Sequence, residues 1–196
     1  IILDLCAAPG AKTTEISQLM NNKGCIVAND VELKRIIALQ SNIQRMGCLN
    51  VIVIKEDGRF LCNKINNYFD KVLVDVPCSA SGTFKQEVYK SLSQKFLNSI
   101  TRLQKSLLAS AYRLAKKGGT IVYSTCSLEI EENEAIANWF LKNFNVDIQN
   151  IKIKGIKLRS GIVKYENFEF DKEIRKTKRV LKVGQEAFYV AKFVKL

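Results

Sequence analysis

The stretch Leu3-Asp4-Leu5-Cys6-Ala7-Ala8-Pro9-Gly10-Ala11-Lys12-Thr13 predicts a buried strand, a sharp turn and the start of a helix. Its apolar beginning is typical of a central strand in a parallel sheet. Pro9 and Gly10 break the strand, and Thr13 or Thr14 is expected to cap the helix. A strand, a turn of small residues and a helix N-terminus together form a pocket lined with free backbone N–H groups. The stretch therefore favours a ligand site, with an ordinary strand-to-helix turn as the alternative.

The composition indicates one domain with a basic surface. The chain has 196 residues, of which 47% are hydrophobic, enough to bury a core. Because the sequence begins inside the first predicted strand, we expect upstream residues to be missing. The net charge of +12 favours a polyanionic partner, above all nucleic acid, over a basic surface that only aids solubility. Apolar runs are strand-sized and no signal peptide is visible, so no membrane association is expected.

Cysteine usage indicates a reducing compartment. The sequence has no histidine and no CxxC pair, so we expect no metal site. Dispersed cysteines in a chain of this size argue against a disulfide framework and favour the cytoplasm. The six positions are Cys6, Cys25, Cys48, Cys62, Cys78 and Cys126.

Strand and helix patterns alternate along the chain, which predicts an α/β fold. The sheet is expected to be mostly parallel, with helices on both faces. Further strands are predicted at residues 25–28, 51–54, 72–74, 120–123 and 188–191. Helices are predicted at about 32–46, 94–115 and 131–143, after a first helix with apolar positions Ile16, Leu19 and Met20. Residues 79–91 are predicted to form a loop, and residues 116–119 to stop the helix before them.

Four predicted strands end in a carboxylate or a thiol: Asp30, Asp57, Asp75 and Cys126. In open parallel sheets ligands bind outside the carboxyl ends of the strands, so these groups should converge on one crevice. Asp30 occupies the position that accepts hydrogen bonds from ribose hydroxyls in nucleotide-binding folds. Asp57 precedes a glycine, and a surface turn explains it about as well as a ligand contact.

Two cysteines leave predicted strands in the same way. Pro77 stiffens the chain after Asp75 and fixes Cys78, while Cys126 follows Ser124 and Thr125. A cysteine held at a strand exit can act as a nucleophile or an acid–base group, although a lone cysteine is more often structural. Two thiols and a carboxylate at one sheet edge favour a catalytic role for these cysteines over a structural one.

In order and spacing, these motifs resemble the Sun-domain family of RNA cytosine-5 methyltransferases. The resemblance covers nearly the whole chain. It rests on the opening stretch and on Asn29-Asp30, Asp57-Gly58-Arg59, Asp75-Val76-Pro77-Cys78-Ser79, Tyr123-Ser124-Thr125-Cys126-Ser127, Glu131-Glu132-Asn133-Glu134 and Ala187-Phe188-Tyr189-Val190-Ala191-Lys192. Two features depart from the family pattern: Ala11 replaces a usual glycine, and the segment after Gly82 lacks the usual motif.

The resemblance implies a catalytic domain over residues 1–196 with a methyltransferase-type Rossmann fold and S-adenosylmethionine as cofactor. The cofactor would contact Asp30 and Arg35 at the ribose, Asp57 at the adenine, Asp75, and the turn Cys6, Ala7, Ala8, Pro9, Gly10, Ala11 and Lys12.

It also implies the catalytic roles. Cys126 would attack carbon 6 of cytosine, and Asp75 would contact the base edge near nitrogen 3. Cys78 would assist proton removal from carbon 5 and enzyme release, and Lys12 would position Asp75. The expected partner is RNA, with tRNA favoured over rRNA, and the expected state is a monomer.

A basic segment near the C-terminus is a candidate RNA surface. Its alternative is a solvated insertion whose aromatic residues, Tyr165, Phe168 and Phe170, face the core. The segment comprises Lys152, Lys154, Lys157, Arg159, Lys164, Lys172, Arg175, Lys176, Lys178, Arg179 and Lys182.

Two other functions compete with RNA methylation. A dinucleotide-dependent oxidoreductase would share the first turn and Asp30, but the motif G-x-G-x-x-G is absent. An RNA-binding protein with an inactive cofactor pocket would leave the two strand-exit cysteines unexplained.

Overall fold

The computed structural model describes residues 1–153, 155–156, 158–181 and 186–196. The helices in these ranges are α1 (Ala11–Leu19), α2 (Leu33–Arg45), α3 (Gln86–Ser91), α4 (Gln94–Leu114) and α5 (Glu134–Asn143). The strands are β1 (Ile2–Asp4), β2 (Ile26–Asp30), β3 (Val51–Lys55), β4 (Phe69–Asp75), β5 (Ala115–Thr125), β6 (Val146–Gln149), β7 (Leu158–Ser160), β8 (Lys164–Tyr165), β9 (Phe168–Glu169), β10 (Lys178–Val180) and β11 (Phe188–Lys195). None of the helices in the described ranges is long and apolar enough to cross a membrane.

The main sheet has the strand order β3-β2-β1-β4-β5-β11-β10-β7, with β6 also beside β11. Strands β1 to β5 run parallel to their neighbours in one contiguous half of the sheet. The other half is antiparallel: β11 pairs with β5, β6 and β10, and β10 pairs with β7. The predicted α/β fold with a mostly parallel sheet is confirmed, since five of the nine main-sheet strands in the described ranges run parallel to one another, and the strand ends singled out in the sequence all lie in this parallel half.

Helices cover both faces of the parallel half. Side chains alternate between the faces along a strand, so Leu3 and Asp4 of β1 point to opposite sides. Leu3 pairs with Val72 and packs in one apolar cluster with the buried stripe of α4. Asp4 pairs with Ala28, which packs against Leu39 of α2 in a smaller cluster.

The start of α1 differs from the prediction. Gly10, with φ of 107°, precedes the first helical residue, and no side chain caps the helix. The expected cap at Thr13 or Thr14 is therefore wrong. The Thr13 hydroxyl instead donates to Asp4 Oδ2 at 2.7 Å, because one helical turn carries it over the end of β1.

Other boundaries differ modestly. The segment 79–91 contains a 3₁₀ turn, Ser81–Thr83, and the short helix α3 rather than a continuous loop. Strand β5 begins directly after α4, so residues 116–119 belong to the strand. Helix α1 turns Thr13 and Ser17 inward, whereas Leu19, expected on its apolar face, is 76% exposed.

Candidate active site

The two strand-exit thiols lie in contact. Parallel pairing of β4 and β5 places Asp75 opposite Ser124, and the Val76 amide donates to the Ser124 carbonyl at 3.1 Å. The chains then leave the sheet side by side, and Cys78 Sγ lies 3.2 Å from Cys126 Sγ. Both side chains are half-buried. The sheet thus brings together two thiols that are 48 residues apart in sequence.

The hydrogen bond between the thiols makes them chemically different. The bond from Cys78 stabilises the thiolate of Cys126 and lowers the pKa of Cys126. The same bond, followed by burial, raises the pKa of Cys78. Cys126 is therefore the thiol suited to attack, and Cys78 is the one that keeps its proton.

Asp75 is held from both sides at the end of β4. Lys12 Nζ donates to Asp75 Oδ2 at 2.6 Å, and Ser124 Oγ donates to Oδ1 at 2.6 Å. The Lys12 ammonium also lies 5.0 Å from the centre of the Phe188 ring. Lys12 thus reaches the carboxylate that it was expected to position, whereas nothing in the sequence singled out Ser124.

A cavity of about 230 Å³ lies outside the carboxyl ends of β1 and β2. It brings together residues expected to bind the cofactor that come from three separate segments: Cys6, Asp30 with Arg35, and Asp57. Its lining includes Cys6, Asp30, Arg35, Asp57, Gly58, Arg59 and Pro77.

Asp30 is buried at the edge of this cavity and orders the first turn. Its carboxylate accepts hydrogen bonds from the amides of Ala8 at 3.2 Å and Glu32 at 3.1 Å. Arg35 lies 3.5 Å from the same carboxylate and donates to the Ala8 carbonyl. Asp30 and Arg35 therefore fix the turn backbone as well as facing the cavity.

Asp57 faces the cavity and pairs with Arg59, a residue that appears in a sequence motif but was assigned no role. Arg59 binds its carboxylate with two nitrogens, Nε at 3.0 Å and Nη2 at 2.6 Å. This hydrogen bonding lowers the pKa of Asp57. The paired guanidinium is a second group that a ligand in the cavity would meet.

A smaller cavity of about 50 Å³ adjoins the first turn and shares Cys6 with the larger one. Burial raises the pKa of Cys6, which leaves its thiol unreactive. Gly10 does not line this cavity, since a Cβ there would lie 2.8 Å from Leu39 Cδ1. The lining is Asp4, Cys6, Ala7, Ala8, Pro9, Ala11, Lys12 and Asp75.

Asp4 is a candidate site residue that the sequence analysis missed. Only 1% of it is exposed, and its Oδ1 has no hydrogen-bond partner within the described ranges. Burial raises the pKa of Asp4 to about 6, against the hydrogen bond from Thr13. The available signal was a carboxylate inside an otherwise apolar strand, a position that is costly without a partner.

The loop after Cys78 is fixed to Cys126 through Gly82. The Gly82 amide donates to the Cys126 carbonyl at 2.9 Å, and the Ala187 amide donates to the Gly82 carbonyl at 2.8 Å. A Cβ at Gly82 would lie 2.7 Å from the Cys126 carbonyl oxygen and 2.8 Å from that of Ala187. Only glycine fits between these two backbones.

The C-terminal basic segment is less uniform than its sequence suggests. Arg179 is buried, and its guanidinium binds Glu134 with two nitrogens, at 2.7 and 2.5 Å. Lys176 forms a surface ion pair with Glu173, so part of the positive charge of this segment is balanced within the chain. Lys154, Lys157 and Lys182 lie outside the described residues.

The aromatic residues of this segment do not all face the same way: some are exposed, as an RNA surface would require, and one faces the core. Tyr165 and Phe168 are exposed, whereas Phe170 packs against the main apolar cluster. The rings of Phe168 and Phe170 are stacked with centres 5.8 Å apart.

The sheet topology, with cavities and a thiol pair at the carboxyl ends of its parallel strands, defines a Rossmann-type methyltransferase fold. The model of the 16S rRNA methyltransferase RsmB/F family matches residues 1–194. The chain belongs to this family, and the resemblance to the Sun-domain methyltransferases is confirmed.

Individual relatives agree with this assignment. The chain is 38% identical to the tRNA (cytosine(49)-C(5))-methyltransferase of Pyrococcus abyssi, over 100% of this chain and 63% of the relative. The structure of a methyltransferase homolog protein from Pyrococcus horikoshii matches 100% of this chain and 61% of its own, with a TM-score of 0.87 and 35% identity. NSun6 from Pyrococcus horikoshii, solved with SFG, matches with a TM-score of 0.85 and 30% identity, over 100% of this chain and 47% of its own. The chain thus spans less than two thirds of each of these proteins.

Proposed function

We propose that this chain is the catalytic domain of an enzyme that transfers a methyl group from S-adenosylmethionine to carbon 5 of cytosine in RNA. The observation that carries the proposal is the contact between the Cys78 and Cys126 sulfurs, 3.2 Å apart where β4 and β5 leave the sheet. Their hydrogen bond lowers the pKa of Cys126 and raises that of Cys78. Carbon 5 of cytosine is a poor nucleophile, and thiolate addition at carbon 6 makes it enamine-like. Two thiols of unlike proton affinity suit the addition and the release that this reaction requires.

The residues around the two cavities fit S-adenosylmethionine. Asp30 and the Asp57–Arg59 pair offer hydrogen-bonding groups to the nucleoside in the larger cavity. The free oxygen of Asp4 in the smaller cavity suits a cationic group of the ligand. S-adenosylmethionine would supply the methyl group as an electrophile. The related NSun6 structure holds SFG, an analogue of this cofactor, which supports the proposal.

The proposed steps use four side chains. Cys126 adds its sulfur to carbon 6, and the displaced electron pair makes carbon 5 able to accept the methyl group. Asp75, fixed by Lys12, contacts the base edge and balances charge as the adduct forms. After addition the Cys126 sulfur no longer accepts the Cys78 hydrogen bond. Without that bond Cys78 can release its own proton to water. The Cys78 thiolate then takes the carbon 5 proton, and the bond from Cys126 sulfur to carbon 6 breaks as the ring double bond re-forms.

We propose tRNA as the substrate class, with rRNA as the alternative, and a cytoplasmic monomer as the working form. The Pyrococcus abyssi relative is named for tRNA, whereas the family model is named for 16S rRNA. The net charge of +12 suits either polyanion. The target base must leave its stack to reach thiols at a sheet edge.

The test is methyl transfer from labelled S-adenosylmethionine to unmodified tRNA and rRNA transcripts, with bisulfite sequencing to locate the product. Cys126→Ser should abolish transfer, since a serine hydroxyl is a far poorer nucleophile than a thiolate. In the Cys78→Ala variant, Cys126 should still attack carbon 6 and carbon 5 should still be methylated, but the RNA should not be released. A covalent protein–RNA complex should then survive denaturing electrophoresis.

The double variant, Cys78→Ala with Cys126→Ser, is the control and should form no complex. If Cys126→Ala formed the covalent RNA complex and Cys78→Ala transferred no methyl group, the roles of the two cysteines would be reversed. Full activity in both single variants would contradict the two-thiol mechanism. Absence of methyl transfer by the unaltered protein, supplied at full length, would contradict the proposed function itself.

A further inference from the structure

One buried carboxylate bonds to both cysteine-bearing loops. Glu132 is fully buried in the turn before α5. Its Oε2 accepts from the amide of Ser79, the residue after Cys78, at 3.0 Å. Its Oε1 accepts from the hydroxyl of Ser127, the residue after Cys126, at 2.7 Å. A single side chain thus contacts the neighbour of each thiol.

A second buried side chain completes this arrangement from α4. Gln104 donates from Nε2 to Glu132 Oε2 at 2.8 Å and to the carbonyl of Pro77 at 3.0 Å. The backbone is therefore held on both sides of Cys78, at Pro77 by Gln104 and at Ser79 by Glu132. The two serine hydroxyls also lie 3.0 Å apart, which links the loops directly.

Fold stability alone does not account for a carboxylate at this place. Within the described ranges no lysine or arginine forms an ion pair with Glu132. Two positions along the chain, Glu134 is equally buried but pairs with Arg179. A buried carboxylate without a cation is costly, and of its three donors two belong to the cysteine loops and the third, Gln104, also binds the Pro77 carbonyl beside Cys78.

We propose that Glu132 is a positioning residue that sets the distance between the Cys78 and Cys126 thiols, with Gln104 supporting it. The proposal concerns the same site as the proposed function and rests on it for its catalytic meaning. Neither residue contacts a thiol directly. They act through the backbone, so that loss of the carboxylate separates the sulfurs while the sheet below stays paired.

The test measures thiol proximity in the free protein, independently of methyl transfer. Diamide accepts two electrons and two protons from a pair of thiols and leaves a disulfide, which forms fastest between sulfurs already in contact. The Cys78–Cys126 disulfide should form readily in the unaltered protein, as followed by peptide mass mapping. In Glu132→Gln the amide nitrogen faces at least one donor, and disulfide formation should slow by roughly tenfold or more.

Glu134→Gln is the matched control, because Glu134, the first residue of α5, is equally buried but accepts hydrogen bonds from Arg179 and the Ile162 amide rather than from the residues beside Cys78 and Cys126. It should lower thermal stability but leave the rate of Cys78–Cys126 disulfide formation unchanged. An unchanged rate in Glu132→Gln would overturn the proposal, as would an equal slowing in Glu134→Gln.

Two further measurements keep the proposal testable. If Glu132→Gln does not fold, Ser127→Ala removes one of its three hydrogen bonds and should slow disulfide formation by a smaller factor, whereas an unchanged rate would contradict the proposal. In a methyl-transfer assay Glu132→Gln should lower kcat with little change in KM for S-adenosylmethionine. A slowed disulfide in a protein that transfers no methyl group would refute the proposed function and leave the positioning role standing.

Discussion

The buried carboxyl of Asp4 makes the stability of this domain depend on pH in an unusual direction. Burial raises the pKa of Asp4 from 3.8 to about 6. The native protein therefore holds this proton more tightly than the unfolded chain does. The resulting stabilisation is complete only below the unfolded pKa and is lost as the pH rises through the folded value. At about 1.36 kcal/mol per unit, the full loss is about 3 kcal/mol.

Asp4→Asn tests this reasoning, because asparagine keeps the shape and an acceptor for Thr13 but does not titrate. About 2 kcal/mol of the loss falls between pH 4 and pH 7. Over that range, the variant's free energy of unfolding should therefore rise relative to the unaltered protein by about 2 kcal/mol. The absolute offset at low pH is not diagnostic, since the new amide N–H group is buried near other polar groups.

The measurement is urea unfolding followed by circular dichroism at several pH values. Glu15→Gln, on the exposed side of α1, is the control and should give a nearly flat difference across the same range. A flat difference for Asp4→Asn as well would refute the reasoning. If the free energy of unfolding of Asp4→Asn instead fell relative to that of the unaltered protein as the pH rises, a cation in the folded protein would be neutralising Asp4.

Three further predictions concern other parts of the site. Asp30→Ala should weaken S-adenosylmethionine binding by about 1–3 kcal/mol in calorimetric titration, and unchanged affinity would remove Asp30 from the site. Arg179→Ala should destabilise the fold by about 3–5 kcal/mol because it leaves Glu134 buried without its cation, and a loss confined to RNA affinity would contradict this. Exposed Lys172 and Arg175, both changed to glutamine, should reduce the salt dependence of RNA binding by about one phosphate contact each, whereas an unaltered slope would place them outside the interface.

Periodicity in the sequence was enough to predict the parallel half of the sheet. Helix α2 was expected at 32–46 and α4 at 94–115, close to their observed bounds, because each has a long apolar stripe. Of the antiparallel half, β11 was predicted, at residues 188–191, but its short partner strands were not. Strands β7 to β10 have two or three residues each, too few for an alternating pattern. Strand β10 is placed by pairing with the distant strand β11 and β7 by pairing with β10, whereas β8 and β9 pair with each other in a separate small sheet.

The rule that ligands bind at strand ends predicted one crevice for Asp30, Asp57, Asp75 and Cys126. The structure places Asp30 and Asp57 at the larger cavity and Asp75 at the smaller one that adjoins it, and it brings Cys126 into contact with Cys78. Glu132 was not predictable, because acidic residues before a helix usually indicate a solvated turn. Arg179 was misread for a similar reason. A run of basic residues suggests a surface, and only the pairing of β10 with β11 shows which of its members is turned inward.

The contact of Gly82 with Ala187 has a consequence for how the protein is made. A ribosome delivers the chain from its N-terminus, so β1 to β5 and both cysteines emerge well before β11. Gly82 donates its amide to the Cys126 carbonyl, and its own carbonyl accepts from the amide of Ala187, immediately before β11. The thiol pair therefore gains its complete support only when the C-terminal strand inserts beside β5. Until that moment a nascent domain carries both sulfurs but cannot yet hold them as the finished protein does.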